Sequence, residues 1–305
     1  MQSVNGTGPD GADLDISFAI VNWKGGAVFE KCIASVREAK DGSPLRCEIV
    51  VVDNASTEEE LTFLRECGEV TLIRNARNLG FARGTNQSIE RCRGKYLFIL
   101  NNDVILQDHD LTTIFSLMEA HKEIGVLAPR LIYPDGRLQK SISGLPTLFD
   151  VFCYSIRLSK INARFDRWKQ SDFDYSSIRD AAQPMFSALF LRKEVWDQIG
   201  PLDEDFPMLF NDVDWFFRFH EKQKWRCIFY PNFVCVHYHK MSINKRIHSK
   251  IYYQVMGLYR YFVKHYQLSF SAYLFLISLC SCILCGKLVV EPLRKLAERR
   301  TGRLR

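Results

Sequence analysis

Short apolar runs alternate with longer amphipathic stretches over the first 130 residues. Ile16–Asn22, Glu48–Val52, Val70–Ile73 and Tyr96–Leu100 are rich in Val, Ile, Leu and Phe, and each reads as a strand. Between them lie helical segments. One opens at Gly25-Gly26 and runs to about Ala39. A second follows Thr57, with Glu58, Glu59 and Glu60 in its first turn, where acidic side chains suit the helix dipole. A third begins in the segment Asn78–Asn86, continues to about Cys92 and stops at Gly94. A helix from about Asp110 to His121 and a strand at Gly125–Ala128 follow. Strands alternating with helices predict an α/β fold with a doubly wound, mostly parallel sheet. Beyond the turn signal Pro134-Asp135-Gly136, residues 145–183 lose this rhythm and read as an insertion or lid. Met185–Leu191 resumes as a strand. Short helical segments through Trp196 and over Val213–Lys222, a strand at Arg226–Tyr230 and a helix from about Lys245 to His265 complete the pattern.

The 305 residues suffice for one large domain or two smaller ones. The net charge of +6 is concentrated at the end, where residues 287–305 carry seven Lys/Arg against two Glu. The rest is nearly neutral, which argues against nucleic-acid binding. Ten cysteines are scattered without a C-x-x-C pair, as expected of a reduced, cytosolic protein. Cys280, Cys282 and Cys285 have no nearby His and do not read as a metal site. The first fifteen residues lack the basic and apolar regions of a secretory leader.

Chemistry-bearing residues gather at strand ends. In Phe98–Ile105 an apolar run breaks into Asn101, Asn102 and Asp103 before Val104 resumes it. Three polar side chains at the carboxyl end of such a strand face the ligand crevice of an open α/β sheet, and Asp103 suits a hard cation that in turn holds a diphosphate. Asp53 ends a strand, either to cap the next helix or to contact a nucleoside. The glycines around Arg83 open a helix start suited to phosphate. No G-x-G-x-x-G or P-loop pattern is present. Asp212 and Asp214 sit among Phe, Met, Leu and Trp, where burial raises a carboxylate's basicity and suits a general base. His237 and His239 share one side of an extended segment, and one of them is a candidate metal ligand.

Seven segments in order then carry a resemblance. FAIVNWKGG from Phe18, EIVVVDNAST from Glu48, RNLGFARGTNQSI from Arg77, YLFILNNDVIL from Tyr96, APRLIYPDGRLQ from Ala128, FSALFLRKEVWDQIGPLDEDFPMLFNDVDWFFR from Phe186 and VCVHYHKMS from Val234 resemble the family-two inverting glycosyltransferases, most closely the bacterial rhamnosyltransferase-like branch. The resemblance implies a Rossmann-like GT-A fold over residues 15–244, with a nucleotide-sugar half to about residue 130 and an acceptor half after it, behind a flexible segment 1–14. It implies a dTDP- or UDP-sugar donor, Mg²⁺ or Mn²⁺, and a saccharide or lipid-linked acceptor in cell-surface polysaccharide synthesis, with rhamnose a candidate sugar. Asp212 would be the catalytic base. Asn22, Asp53, Asn78, Arg83 and Asn102 would bind the donor, Asp103 and His237 the metal, and Asn211 and Asp214 would lie on the acceptor side. Asn211 stands where the family carries Glu. Two other readings stay open, a different nucleotide-dependent transferase and a catalytically impaired homologue acting as a membrane scaffold.

Residues 245–305 read as a helical, membrane-associating segment with a basic tail. Tyr266–Gly286 carries no charge and is long enough to cross a bilayer. A crossing would put the basic tail on the wrong side for a cytosolic catalytic domain, so a monotopic placement at the cytoplasmic face of the plasma membrane is expected.

Overall fold

A computed structural model of the chain describes residues 14–238 and 247–285. His239, most of the N-terminal segment 1–14 and the basic tail fall outside the described residues.

The expected alternation forms β1 (Ile16–Asn22), α1 (Gly26–Asp41), β2 (Cys47–Asn54), α2 (Glu58–Glu66), β3 (Val70–Asn75), α3 (Phe81–Arg91) and β4 (Tyr96–Asn101). Thr57 caps α2 reciprocally: its Oγ1 accepts from the Glu60 N–H, and its own N–H donates to the Glu60 carboxylate at 2.9 Å. The chain then forms β5 (Val104–Leu106), α4 (Leu111–Ala120), β6 (Ile124–Ile132), β7 (Ile142–Ser143) and α5 (Leu148–Ser155). After β8 (Arg179–Asp180) and β9 (Gln183–Pro184) come β10 (Ala188–Arg192), α6 (Lys193–Ile199), α7 (Asn211–Glu221), β11 (Arg226–His237), α8 (Ile247–His265) and α9 (Phe270–Cys285).

One sheet of nine strands organises these elements in the order β3-β2-β1-β4-β10-β6-β11-β5, with β8 also on β11. The two expected halves therefore share it. β1 to β4 are parallel, whereas β10 runs antiparallel between β4 and β6. Helices cover both faces, so inner strands are apolar on both sides. Phe18 and Ile20 of β1 pack with Phe29 and Ile33 of α1, while Ala19 between them joins Ala82 of α3 and Trp215 of α7. A third apolar cluster joins α5, α7, α8 and α9.

One strand and one segment differ from expectation. β11 continues past Tyr230 to His237, because a register shift between Tyr230 and Val234 absorbs Pro231 and Asn232 as an irregularity. Residues 145–183 are partly ordered into α5, two short 3₁₀ turns and β8. The uncharged C-terminal stretch is not one long helix. Residues 266–269 are not helical, α9 is described over Phe270–Cys285, and among the described residues no helix is long and apolar enough to cross a membrane.

Candidate active site

The turn from β4 into β5 sets the centre of the site. β5 pairs antiparallel with β11 so that Val104 faces His237, which brings His237 beside Asp103. Asp103 Oδ1 lies 3.3 Å from His237 Nε2, and both residues are buried. The other ring nitrogen, Nδ1, lies 2.9 Å from Gln139 Oε1, an atom that can only accept. With the proton on Nδ1 donated to that oxygen, Nε2 would face the Asp103 carboxylate with its lone pair. A shared proton or a cation satisfies both atoms. Asn101 Oδ1, also buried at this strand end, has no hydrogen-bond partner among the described residues. An amide oxygen, a carboxylate and an imidazole fit Mg²⁺ or Mn²⁺ that completes its shell with phosphate oxygens and water. Among the described residues no cluster of three His, Cys, Asp or Glu side chains forms, so the protein would supply only part of the coordination.

A pocket of about 260 Å³ opens here, lined among others by Trp23, Asn78, Phe81, Asp103, Asp212 and His237. Asn102 and Asn211 also line it. Thus six predicted residues come together: Asn78, Asn102, Asp103, Asn211, Asp212 and His237. Asp212, in the first turn of α7, accepts from Gln183 Nε2 at 3.1 Å and from the Val213 N–H at 2.9 Å. Burial pushes its carboxyl above the usual carboxylate range, against the opposing pull of the Val213 N–H and the Lys169 charge. Asn211 is fixed by its bond to the Phe206 carbonyl.

Asn22 and Asp53 lie behind the pocket wall. Both are fully buried, and Asn22 Nδ2 donates to Asp53 Oδ1 at 2.8 Å while its Oδ1 accepts from Asn102 Nδ2 at 2.8 Å. Asp53 Oδ2 accepts from the Ser56 N–H. The network ties three strand ends together. Gly25 packs against it so closely that a Cβ would come within 2.6 Å of Asn102 Nδ2. In this structure Asp53 braces the crevice rather than facing it.

Besides Asn22 and Asp53, two expected site residues lie away from this pocket. Arg83 does not line the pocket. It lies two residues beyond Phe81, about 200° around the helix, and pairs with Glu204 at 3.7 Å. The N–H groups of Phe81 and Ala82 are not open to phosphate either, since both donate to the Pro207 carbonyl. Asp214 likewise does not line the pocket. It is turned away from Asp212 by the same helical step and fully buried, held by Arg218 Nε at 3.1 Å, Lys264 Nζ at 2.6 Å and His265 Nε2 at 2.7 Å. Burial works to raise its pKa, but these three partners outweigh it and hold the carboxyl below its ordinary value.

Sequence patterning does not single out Asn54, Gln139 or Gln183. Asn54 lines the pocket and holds the Gly80 carbonyl at 3.1 Å. The strand-end signal that marks Asp53 extends to it. The two glutamines come from irregular connections and short strands, where no periodicity marks them.

A crevice at the carboxyl ends of β1, β2 and β4 of a mostly parallel sheet defines a GT-A-like α/β fold. Residues 17–182, more than half of the chain, match the family model for glycosyl transferase family 2, and the chain belongs to that family. It is 25% identical over 177 residues to an uncharacterized protein, y4gI, of Sinorhizobium fredii, covering 55% of this chain and 18% of that protein. It is 23% identical over 222 residues to the low-salt glycan biosynthesis hexosyltransferase Agl10 of Haloferax volcanii, covering 67% of this chain and 61% of that one. The chain thus spans less than two thirds of either relative. The mannosyltransferase PcManGT of Pyrobaculum calidifontis, solved with GDP-Man and Mn²⁺, superposes with a TM-score of 0.52 at 16% identity, over 93% of this chain and 74% of that one.

Proposed function

We propose that this glycosyltransferase is inverting and moves a hexose, with rhamnose a candidate, from a nucleotide-sugar to a saccharide or lipid-linked acceptor. The observation that carries the reading is one pocket holding both a carboxylate of raised basicity, Asp212, and the Asp103–His237 pair. In the reaction an acceptor hydroxyl oxygen attacks the anomeric carbon from the face opposite the diphosphate. The new C–O bond forms as the bond to the diphosphate oxygen breaks, and the hydroxyl proton passes to Asp212. Asp103, His237 and Asn101 would hold Mg²⁺ or Mn²⁺. When bound, the ion supplies positive charge against the departing diphosphate. Asn22, Asp53 and Asn102 keep the crevice floor in shape, and Trp23 and Asn78 offer an aromatic face and an amide to the nucleoside.

GDP-Man and Mn²⁺ in the mannosyltransferase, and hexosyl transfer by the haloarchaeal relative, support this chemistry. A dTDP- or UDP-sugar is the expected donor, and cell-surface polysaccharide the destination, at the cytoplasmic face of the plasma membrane. A panel of nucleotide-sugars tested by thermal shift with Mn²⁺ addresses the donor. A true donor at 100 times its Kd adds about 2.7 kcal/mol of stability. A panel without any metal-dependent shift would contradict the proposal.

A further inference from the structure

A second, larger cavity of about 630 Å³ lies between α5, α8 and α9. Its volume is in the range of ligand sites, about 300–1,000 Å³. Val255 and Leu258 of α8, Phe275 and Leu279 of α9, and Trp168 make it largely apolar. Arg157 and Lys160 also line it, both exposed, and neither forms an ion pair among the described residues. The Lys169 ammonium stands 3.9 Å over the Trp168 ring. An oily groove bordered by cations matches an amphiphile with a hydrocarbon tail and an anionic head.

The groove adjoins the candidate active site through one segment. Phe210 lines the groove, while Leu209, Asn211 and Asp212 line the donor pocket. Phe210 has φ +70°, a conformation that non-glycine residues rarely hold. Its ring is pressed by α8 at Gly257, where a Cβ would approach the ring carbons to 2.8 Å. The wall between the two cavities is thus fixed by packing.

We propose that this groove binds the hydrocarbon tail of a lipid-phosphate-linked acceptor. Arg157 and Lys160 meet its phosphate, and its sugar end reaches Asp212 past the Leu209–Asp212 segment. The proposal rests on the glycosyltransferase reading above and identifies the acceptor class as an isoprenoid- or acyl-phosphate saccharide.

Cys282 lines the groove and is an exposed free thiol, so its alkylation by N-ethylmaleimide reports occupancy. With the full chain and farnesyl phosphate as the probe, alkylation of Cys282, read by peptide mass spectrometry, should slow while that of exposed Cys285 does not. Ser278→Trp, an exposed lining position, should abolish the protection. Arg157→Gln with Lys160→Gln should raise the half-protecting concentration about tenfold, and farnesol should need a similar excess over farnesyl phosphate. The paired charge variant, at exposed positions, keeps the test intact if Ser278→Trp fails to fold. Protection that survives both variants would overturn the proposal. So would equal protection by farnesol or by phosphatidylglycerol vesicles, which would make the face a general membrane contact. A dimer with Cys282 already shielded would assign the groove to a second copy. Binding of nucleoside diphosphate with Mn²⁺ should be unchanged in these variants. Loss of that binding in the wild type, with Cys282 protection intact, would refute the glycosyltransferase reading and leave a lipid-phosphate site standing.

Discussion

Asp212 and Asp214 share a residue type and the first turn of one helix, yet their surroundings drive them apart. Asp212 faces the pocket with one amide and one N–H for company, and burial raises its pKa. Asp214 is caught by three cations or potential cations and is lowered. An acid that must gain a proton during the reaction is better served by the first setting. Asp103, at the strand end, is proposed to hold the metal. Asp103→Ala is expected to abolish the metal-dependent part of nucleoside diphosphate affinity while leaving the fold intact. Isothermal titration with and without Mn²⁺ checks this, and undiminished metal-dependent affinity would remove Asp103 from the assignment. Six of the ten candidate residues are legible as pocket residues because strand ends and helix starts are marked by abrupt changes from apolar to polar. Arg83 and Asp214 lie off the pocket because spacing along a helix does not reveal which face the rest of the molecule will cover. Glu204 and Lys264, their partners, lie far along the chain.

At the scale of elements, α8 is docked on α7 through Asp214. Lys264 also reaches Asp203 at 2.6 Å, and Arg260 bonds the Asp205 carbonyl, so the end of α8 is tied to the loop before α7. Asp214→Ala leaves those cations without their buried partner. A loss of about 3 kcal/mol is expected, the lower end for a broken buried pair, because Lys264 and Arg218 still reach water. Urea unfolding measures it. The pH sign follows from the lowered carboxyl: its stabilisation is full above the unfolded-state carboxylate pKa and is lost as pH falls through the lower folded-state value. Destabilisation by Asp214→Ala should therefore shrink in acid. Strand identities were readable from apolar runs, since strands buried on both faces need them. The reversal of β10 was not, because an apolar run has the same composition in either direction.

At the scale of the whole molecule, the proposed membrane contact rests on the C-terminal helices and the tail. Outside the groove, α9 exposes Phe270, Leu274 and Ile277, and α5 exposes Phe149. Phe270, Leu274 and Ile277 stand at i, i+4 and i+7, one stripe of α9, and such a stripe fits the proposed monotopic contact better than a crossing. The sequence places seven Lys/Arg after this region, each worth about 1 kcal/mol near an anionic surface. Changing them to Gln should sharply reduce co-sedimentation with phosphatidylglycerol vesicles and leave donor binding alone. Undiminished co-sedimentation would shift the attachment to α9 itself.

The central claim is that one pocket binds the donor and that Asp212 takes the acceptor proton there. Donor turnover and donor affinity measured side by side in Asp212→Asn test it most directly. Affinity for the nucleotide-sugar with Mn²⁺ should stay within about twofold of wild type, while turnover falls about 10²-fold or more. Asp214→Asn should keep far more activity under conditions where it remains folded. Turnover unchanged in Asp212→Asn, or a larger loss in folded Asp214→Asn, would contradict the account.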